Sequence, residues 1–498
     1  MNSHILLEAR EFEERESAGI PEETRPVFHL TPKVGWMNDP NGFSQYKGQY
    51  HLFYQYYPYQ KKWGPMHWGH AVSEDLLKWK YLPAALAPDT EPDAGGCFSG
   101  SAVTLDDGRH LLMYTGVIKL NDIQEDIFFQ SQCVAVGDGI DYEKYPGNPV
   151  IEGKDISDGA SKYDFRDPKI WREPDGTFRC VCVTCPPDQK YENRRGRVVW
   201  FRSDDGFKWE YIGVLAENDG TLGTMWECPD FFELDGKHIL LLSPQDLIEN
   251  NKYYSGNITV WMSGTFDRET GKYTVEKEQL ADYGIDFYAT QTLLAEDGRR
   301  IMIGWMQNWD SITFTRRDLR WSSQMTLPRE LSFKDGKLIQ KPVRELEAHR
   351  ANPLIIRDNI ISNKTEIEGV RGRLLDITIE IKPVFESSYR KFEMRFAEDG
   401  ETYTSLVYRP NENTLEFDRS FSQTRRAVVN DKKFKVANRR GNLKIRLILD
   451  KFSCEAFIND GEQTMSNVIL TDMKADRISF SAHGGLLLSI EKYDLVFE

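Results

Sequence analysis

Tyr46-Lys47-Gly48-Gln49-Tyr50-His51-Leu52-Phe53-Tyr54-Gln55-Tyr56 reads as a tight turn running into a strand. Gly48 supplies the positive φ that a short hairpin turn demands, and the aromatic run behind it is rich in β-formers. The same turn chemistry returns at Asp106-Asp107-Gly108-Arg109, Pro174-Asp175-Gly176-Thr177, Leu234-Asp235-Gly236-Lys237 and Glu296-Asp297-Gly298-Arg299. The five glycines lie 60, 68, 60 and 62 residues apart. A strand-like run follows each of the other four as well, at 110–114, 178–184, 238–242 and 300–305. A third strand fits behind some of them, as at 198–203 and 258–263. Helical periodicity is nearly absent between them. Units of three or four strands, repeated five times, predict an all-β fold built on a five-bladed β-propeller.

Nine residues before the turn glycines stand Asp39, Ser99, Asp167, Glu227 and Ala289. The first strand of a propeller blade lines the central channel, so these five are expected at one shared blade position around a common axis. Three acids converging on a pocket raise one another's pKa, a cost that folds accept where they use it. Seven residues after the glycines, Gln55 and Trp305 are expected as polar and stacking contacts for a sugar. Taken singly, Asn38-Asp39-Pro40-Asn41-Gly42 and Asp167-Pro168 read as well as plain turns. The shared register favours a site.

Composition narrows the class. The 498 residues exceed one ordinary domain, which predicts two. The start, Met1 to Arg15, carries acids where a signal peptide needs an apolar core, and reads as a surface helix with Leu6, Leu7 and Phe12 turned inward. A mean hydropathy of -0.55 argues against a membrane protein. The net charge of -15 argues against a polyanionic partner such as nucleic acid. The short basic runs Arg194-Arg195-Gly196-Arg197 and Arg316-Arg317 are expected on solvated loops. Seven cysteines are scattered without a second metal-ligand pair, so Cys180 and Cys182 are expected as buried neighbours on one strand face, in a reduced, cytoplasmic protein.

Several blocks resemble the signatures of glycoside hydrolase family 32: Trp36-Met37-Asn38-Asp39-Pro40-Asn41-Gly42, Phe98-Ser99-Gly100-Ser101, Phe165-Arg166-Asp167-Pro168 and Trp226-Glu227-Cys228-Pro229. Trp63-Gly64-Pro65-Met66-His67-Trp68-Gly69-His70, Asp286-Phe287-Tyr288-Ala289 and Leu327-Pro328-Arg329-Glu330 match further blocks in family order. The resemblance runs from about Phe28 to the end and implies a five-bladed propeller followed by a C-terminal β-sandwich. Alternating segments such as 374–381 and 443–449 agree with a sandwich independently. The expected division is an N-terminal helical extension over 1–27, the propeller over 28–342, a linker containing a connecting helix over 343–364 and the sandwich over 365–498.

The resemblance implies a retaining β-fructofuranosidase, with Asp39 as nucleophile, Glu227 as acid/base and Asp167 as transition-state stabiliser. It places Asn38, Gln55, Trp63, Phe98 and Ser99 around the fructose, with Arg166, Tyr288 and Trp305 also expected at the substrate. Arg166 is expected to hold Asp167 ionised, and burial to keep Glu227 protonated. Such hydrolysis runs on carboxylates and water, with no metal or organic cofactor. The partner is a small sugar; a homo-oligomer is compatible with the sequence. A fructosyltransferase, an inverting arabinosidase-like propeller and a non-catalytic sugar-binding propeller are the competing readings. The last predicts loss of an acid, and all three acids are present.

The residues leave substrate length open among sucrose, sucrose 6-phosphate and short fructo-oligosaccharides. Gly304-Trp305-Met306-Gln307-Asn308-Trp309 resembles fructan-acting members, whereas Arg316 and Arg317 suit a phosphate. Lys61, Lys62, Asn308, Trp309, Arg316 and Arg317 are therefore expected to shape the pocket beyond the fructose.

Overall fold

A computed structural model describes residues 3–121, 126–187, 194–250, 252–312, 318–422 and 429–497. Five antiparallel sheets of four strands follow one another along the chain, and the first gains a short fifth strand. Their inner strands are Gly35–Tyr46, Gly96–Thr104, Phe165–Arg172, Trp226–Leu234 and Tyr288–Leu294. Each inner strand packs against the next, and the fifth packs against the first, which closes a five-bladed ring. Trp321–Ser322 adds in parallel beside Gly35 and Trp36 and ties the end of the propeller to its beginning.

All five turn glycines have positive φ, between 77° and 90°. A Cβ at Gly48, Gly108, Gly236 or Gly298 would meet nothing within 4 Å, so backbone conformation rather than crowding calls for glycine there.

Every inner strand carries a β-bulge near its start. The ladders slip between Met37 and Pro40, Phe98 and Gly100, Arg166 and Lys169, Glu227 and Asp230, and Tyr288 and Gln291. The five residues counted from the glycines all lie on inner strands, but the expectation of one shared position needs correction. Glu227 immediately precedes its bulge, Ser99, Asp167 and Ala289 open theirs, and Asp39 is the second residue of its own. The slip arises because the hairpin loops differ in length. Tyr46 pairs with Gln49 and Leu234 with Lys237 across two-residue loops, while Arg172 pairs with Phe178 across five; the first blade also has a second bulge between Asn41 and Ser44.

The C-terminal part is two six-stranded sheets, face to face around a core that includes Ile377, Ile379, Phe392, Leu447 and Ile490. The segment expected as a linker, 343–364, is largely sandwich. Arg344–His349 is one short 3₁₀ helix, and Arg350–Ile361 is the edge strand paired with Leu486–Leu495. The edge strand has exposed apolar residues such as Ile355 and Ile360, which blurs its alternation in sequence. The N-terminal helix, His4–Ser17, buries Leu6, Ala9 and Glu13, and Phe12 packs on Tyr59; Leu7, expected inward, is exposed.

Buried charge joins propeller to sandwich. Arg329 pairs with Asp282 at 3.0 Å and with Glu455 at 2.5 Å; Arg419 pairs with Asp286 at 2.6 Å. His29 bridges Asp450 and Glu455 at 2.8 and 2.9 Å.

Candidate active site

Bulges turn consecutive side chains away from strict alternation and re-aim them. Here residues at the bulges of the first four blades, Asn38, Asp39, Ser99, Asp167 and Glu227 among them, line a cavity of about 1480 Å³. Asp167, Cys228 and Ala289, each the first residue of its bulge, all adopt left-handed φ, at 61°, 49° and 52°. Such backbone is strained for residues with a Cβ and persists where the surroundings enforce it. At Asp167 its amide donates to Thr115 Oγ1 at 3.0 Å.

Asp39 accepts from Ser99 Oγ at 2.6 Å on Oδ2 and from Asn38 Nδ2 at 3.1 Å on Oδ1. Asn38 is oriented in turn by the Trp36 indole N–H at 2.8 Å. The Cys228 thiol lies 3.5 Å from Asp39 Oδ2 and 3.8 Å from Asp167 Oδ2, and the Cys228 amide donates to Asp167 Oδ2 at 2.9 Å. One cysteine thus links two carboxylates. Burial, with the Glu227 charge, raises the Asp39 carboxyl to about 6 despite its donors. Burial pushes the Cys228 thiol well up, so it stays protonated and donates.

Arg166 departs from its expected role. Its guanidinium lies 3.1 and 3.2 Å from Glu227 Oε1 and 3.2 Å from Asp164, but 4.0 Å from Asp167. Burial outweighs it at Asp167, where the carboxyl rises to about 7 with Glu227 and Asp39 adding to the rise. The other oxygen of Glu227, Oε2, is 2.8 Å from the Tyr288 hydroxyl, which also lies 3.1 Å from the Ser243 carbonyl. Burial holds the Tyr288 phenol far above its ordinary pKa, so it keeps its proton. One phenol proton serves one acceptor.

Asn38, Asp39, Gln55, Trp63, Phe98, Ser99, Arg166, Asp167 and Glu227 all line the cavity, and Gln55 is held by its bond to the Cys97 carbonyl at 3.0 Å. Tyr288 and Trp305 do not. Tyr288 is 1% exposed and bonds Glu227 from behind the lining; Trp305 is fully buried among Trp36, Tyr288 and Trp309, its indole N–H given to Ser323. Counting forward from the turn located the right strand, but Trp305 faces the packing behind the site.

The outer pocket also differs from expectation. Trp309 lines it, but Asn308 is buried and bonds the Ile285 carbonyl at 2.7 Å, and Lys61 bonds the Leu319 carbonyl at 2.5 Å. Lys62 is exposed outside the lining; Arg316 and Arg317 lie outside the described residues. Most of the outer wall comes instead from the second and third blades, including Phe128, Phe129, Lys162, Tyr163, Asp164 and Arg194. Arg194, expected on a solvated loop, pairs with Asp164 at 2.7 Å. Two aromatic residues before Gln130 and a Lys-Tyr pair before Asp164 were the available signals, but neither carries a periodicity that marks it.

The chain matches Glycosyl hydrolases family 32 N-terminal domain over residues 29–342 and Glycosyl hydrolases family 32 C terminal over 345–495. It is 37% identical to a sucrose-6-phosphate hydrolase of Escherichia coli, covering 93% of each chain. It is likewise 37% identical to a raffinose invertase of Escherichia coli, again covering 93% of each. Among solved structures, the Bombyx mori GH32 beta-fructofuranosidase, as a mutant in complex with sucrose, superposes with a TM-score of 0.84 at 35% identity over 99% of both chains.

Proposed function

The chain belongs to glycoside hydrolase family 32, and from that membership and the site geometry we propose that it cleaves terminal β-fructofuranosyl bonds with Asp39 as nucleophile and Glu227 as acid/base. Its activity is that of a β-fructofuranosidase on sucrose-type substrates. The observation that carries the assignment of roles is the distinct wiring of three carboxylates in one cavity. Asp39 is held by short-range donors, Asp167 by a backbone amide, and Glu227 by a guanidinium and a phenol.

Burial raises the carboxyls of Asp39 to about 6 and Asp167 to about 7. In the proposed reaction Glu227, in its acid form, gives a proton to the glycosidic oxygen as Asp39 attacks the anomeric carbon, and the leaving sugar departs with that proton. Glu227, now ionised, takes a proton from water, and the resulting hydroxide displaces Asp39 from the fructosyl–enzyme bond. Asp167 accepts from fructose hydroxyls as positive charge builds on the ring. The Cys228 thiol and Ser99 hydroxyl donate to Asp39 when it carries charge, before attack and after release. All seven cysteines are unpaired and buried, which supports a reducing, cytoplasmic setting.

The test combines stereochemistry and rescue. NMR of the first-formed product is expected to show β-fructofuranose, the retained anomer; the α-anomer would sink the covalent route. Glu227→Ala is expected to lose most activity on sucrose but little on fructosyl fluoride, whose leaving group needs no proton. Equal losses on both would remove Glu227 from the acid role.

A further inference from the structure

The cavity is larger than its proposed reaction requires. At about 1480 Å³ it exceeds the roughly 300–1,000 Å³ that encloses a compact ligand. Besides Asp39, Asp167 and Glu227, its lining includes two separate aromatic groups. Trp63, Phe98 and Phe128 form the first, with ring centroids 5.9 to 6.3 Å apart. It adjoins the nucleophile, since Phe98 precedes the Ser99 that bonds Asp39. Phe129 and Tyr163 form the second, 5.2 Å apart, with Lys162 Nζ 5.0 and 5.1 Å from their centroids. The Gln130 amide bonds the Lys162 carbonyl at 3.0 Å, which fixes the second-blade hairpin to the segment carrying Tyr163.

Tyr163 is 43% exposed. An aromatic ring left at a cavity wall suits the apolar face of a sugar, and cation–π contact holds the ring in place. Charge separates the ligands that this wall admits. Among the described residues lining the cavity, six are Asp or Glu and four are Lys or Arg. Arg166 and Arg194 are paired with carboxylates, and so is Lys154, with Glu152. Lys162 lies between two rings. The described lining thus carries net negative charge, which disfavours a phosphate dianion, whereas a neutral sugar meets rings and hydrogen-bonding groups.

We propose that Phe129 and Tyr163, held by Lys162, form a subsite for a third sugar unit, so that the enzyme favours neutral oligosaccharides ending in fructose over sucrose 6-phosphate. This rests on the β-fructofuranosidase reading and deepens it. The experiment compares kcat/KM on sucrose, 1-kestose, raffinose and sucrose 6-phosphate for the wild type, the Phe129→Ala/Tyr163→Ala double variant and Lys162→Met. The double variant is expected to lose about tenfold on at least one trisaccharide, mostly through KM, while sucrose changes by less than about twofold and thereby reports an intact fold. Wild-type preference for a trisaccharide over sucrose 6-phosphate completes the support. An unchanged trisaccharide-to-sucrose ratio overturns the subsite, as does a selective tenfold loss on sucrose 6-phosphate in Lys162→Met. A wild type inactive on all four substrates overturns the underlying reading and the subsite with it.

Discussion

Arg166 grips Glu227 rather than its own neighbour Asp167: its guanidinium nitrogens stand 3.1 and 3.2 Å from Glu227 Oε1, against 4.0 Å to Asp167 Oδ2. Adjacent residues on a strand point to opposite faces, and the bulge after Arg166 turns Asp167 without bringing the two charges together. The cation is therefore placed to orient Glu227, the proposed acid/base.

That relationship has a kinetic consequence. Arg166→Gln should lower kcat/KM on sucrose by about a hundredfold, within the range expected for general-acid function. On fructosyl fluoride the loss should be much smaller. Equal losses would return Arg166 to a role at Asp167 or in folding.

The acid limb of the pH profile should lie near the raised carboxyl of Asp39, about 6, rather than near an ordinary carboxylate. As the proposed nucleophile, Asp39 would attack as its anion, so activity is expected above that pH and lost as pH falls through it. Ser99→Ala removes a donor to the ionised form and should move the limb upward. Measuring kcat/KM from pH 4 to 8 for both proteins decides it; a limb that stays in place removes Ser99 from control of the nucleophile.

His29 should make stability fall in mild alkali. Burial alone would push its imidazole down, but the bonds to Asp450 and Glu455 outweigh it and raise it to about 9. A group raised on folding contributes fully below its unfolded value of about 6.5, and that contribution is lost as pH rises through about 9. Urea unfolding across this window should show a loss on the order of 3 kcal/mol that His29→Gln lacks.

The Asp286–Arg419 pair sets up a contrast between breaking and replacing a buried ion pair. Both side chains are fully buried. Arg419→Met removes the ion-pair partner of a buried carboxylate and should cost about 3–5 kcal/mol in chemical unfolding. Adding Asp286→Leu should recover part of that loss. No recovery would assign the cost to lost packing instead.

Much of this was legible because it is local. A turn glycine must take positive φ wherever the chain folds back, so Gly48, Gly108, Gly176, Gly236 and Gly298 announced five hairpins from sequence alone. Asp39, Asp167 and Glu227 were found by the same count, although they occupy three different bulge positions. The count tolerated an error of a residue or two because the whole bulge faces the channel. The edge strand Arg350–Ile361 was missed because a strand exposed on part of both faces has no clean alternation.

What the sequence by itself determined is the set of elements and the chemistry available to them: five hairpin units, three acids on inner strands, and a β-rich tail. Tertiary structure alone decided which groups meet. Arg166 reaches from the third blade to Glu227 on the fourth, Tyr288 bonds that same carboxylate from the fifth, and Asp286 and Arg329, in blocks that read like site motifs, join propeller to sandwich. Trp305 and Trp63 looked alike as sugar platforms, yet one is enclosed by three aromatic rings and the other faces the cavity. The reason is physical. Backbone propensity acts over a few residues, whereas burial and ion pairing depend on distances set by blades some 60 residues apart in sequence.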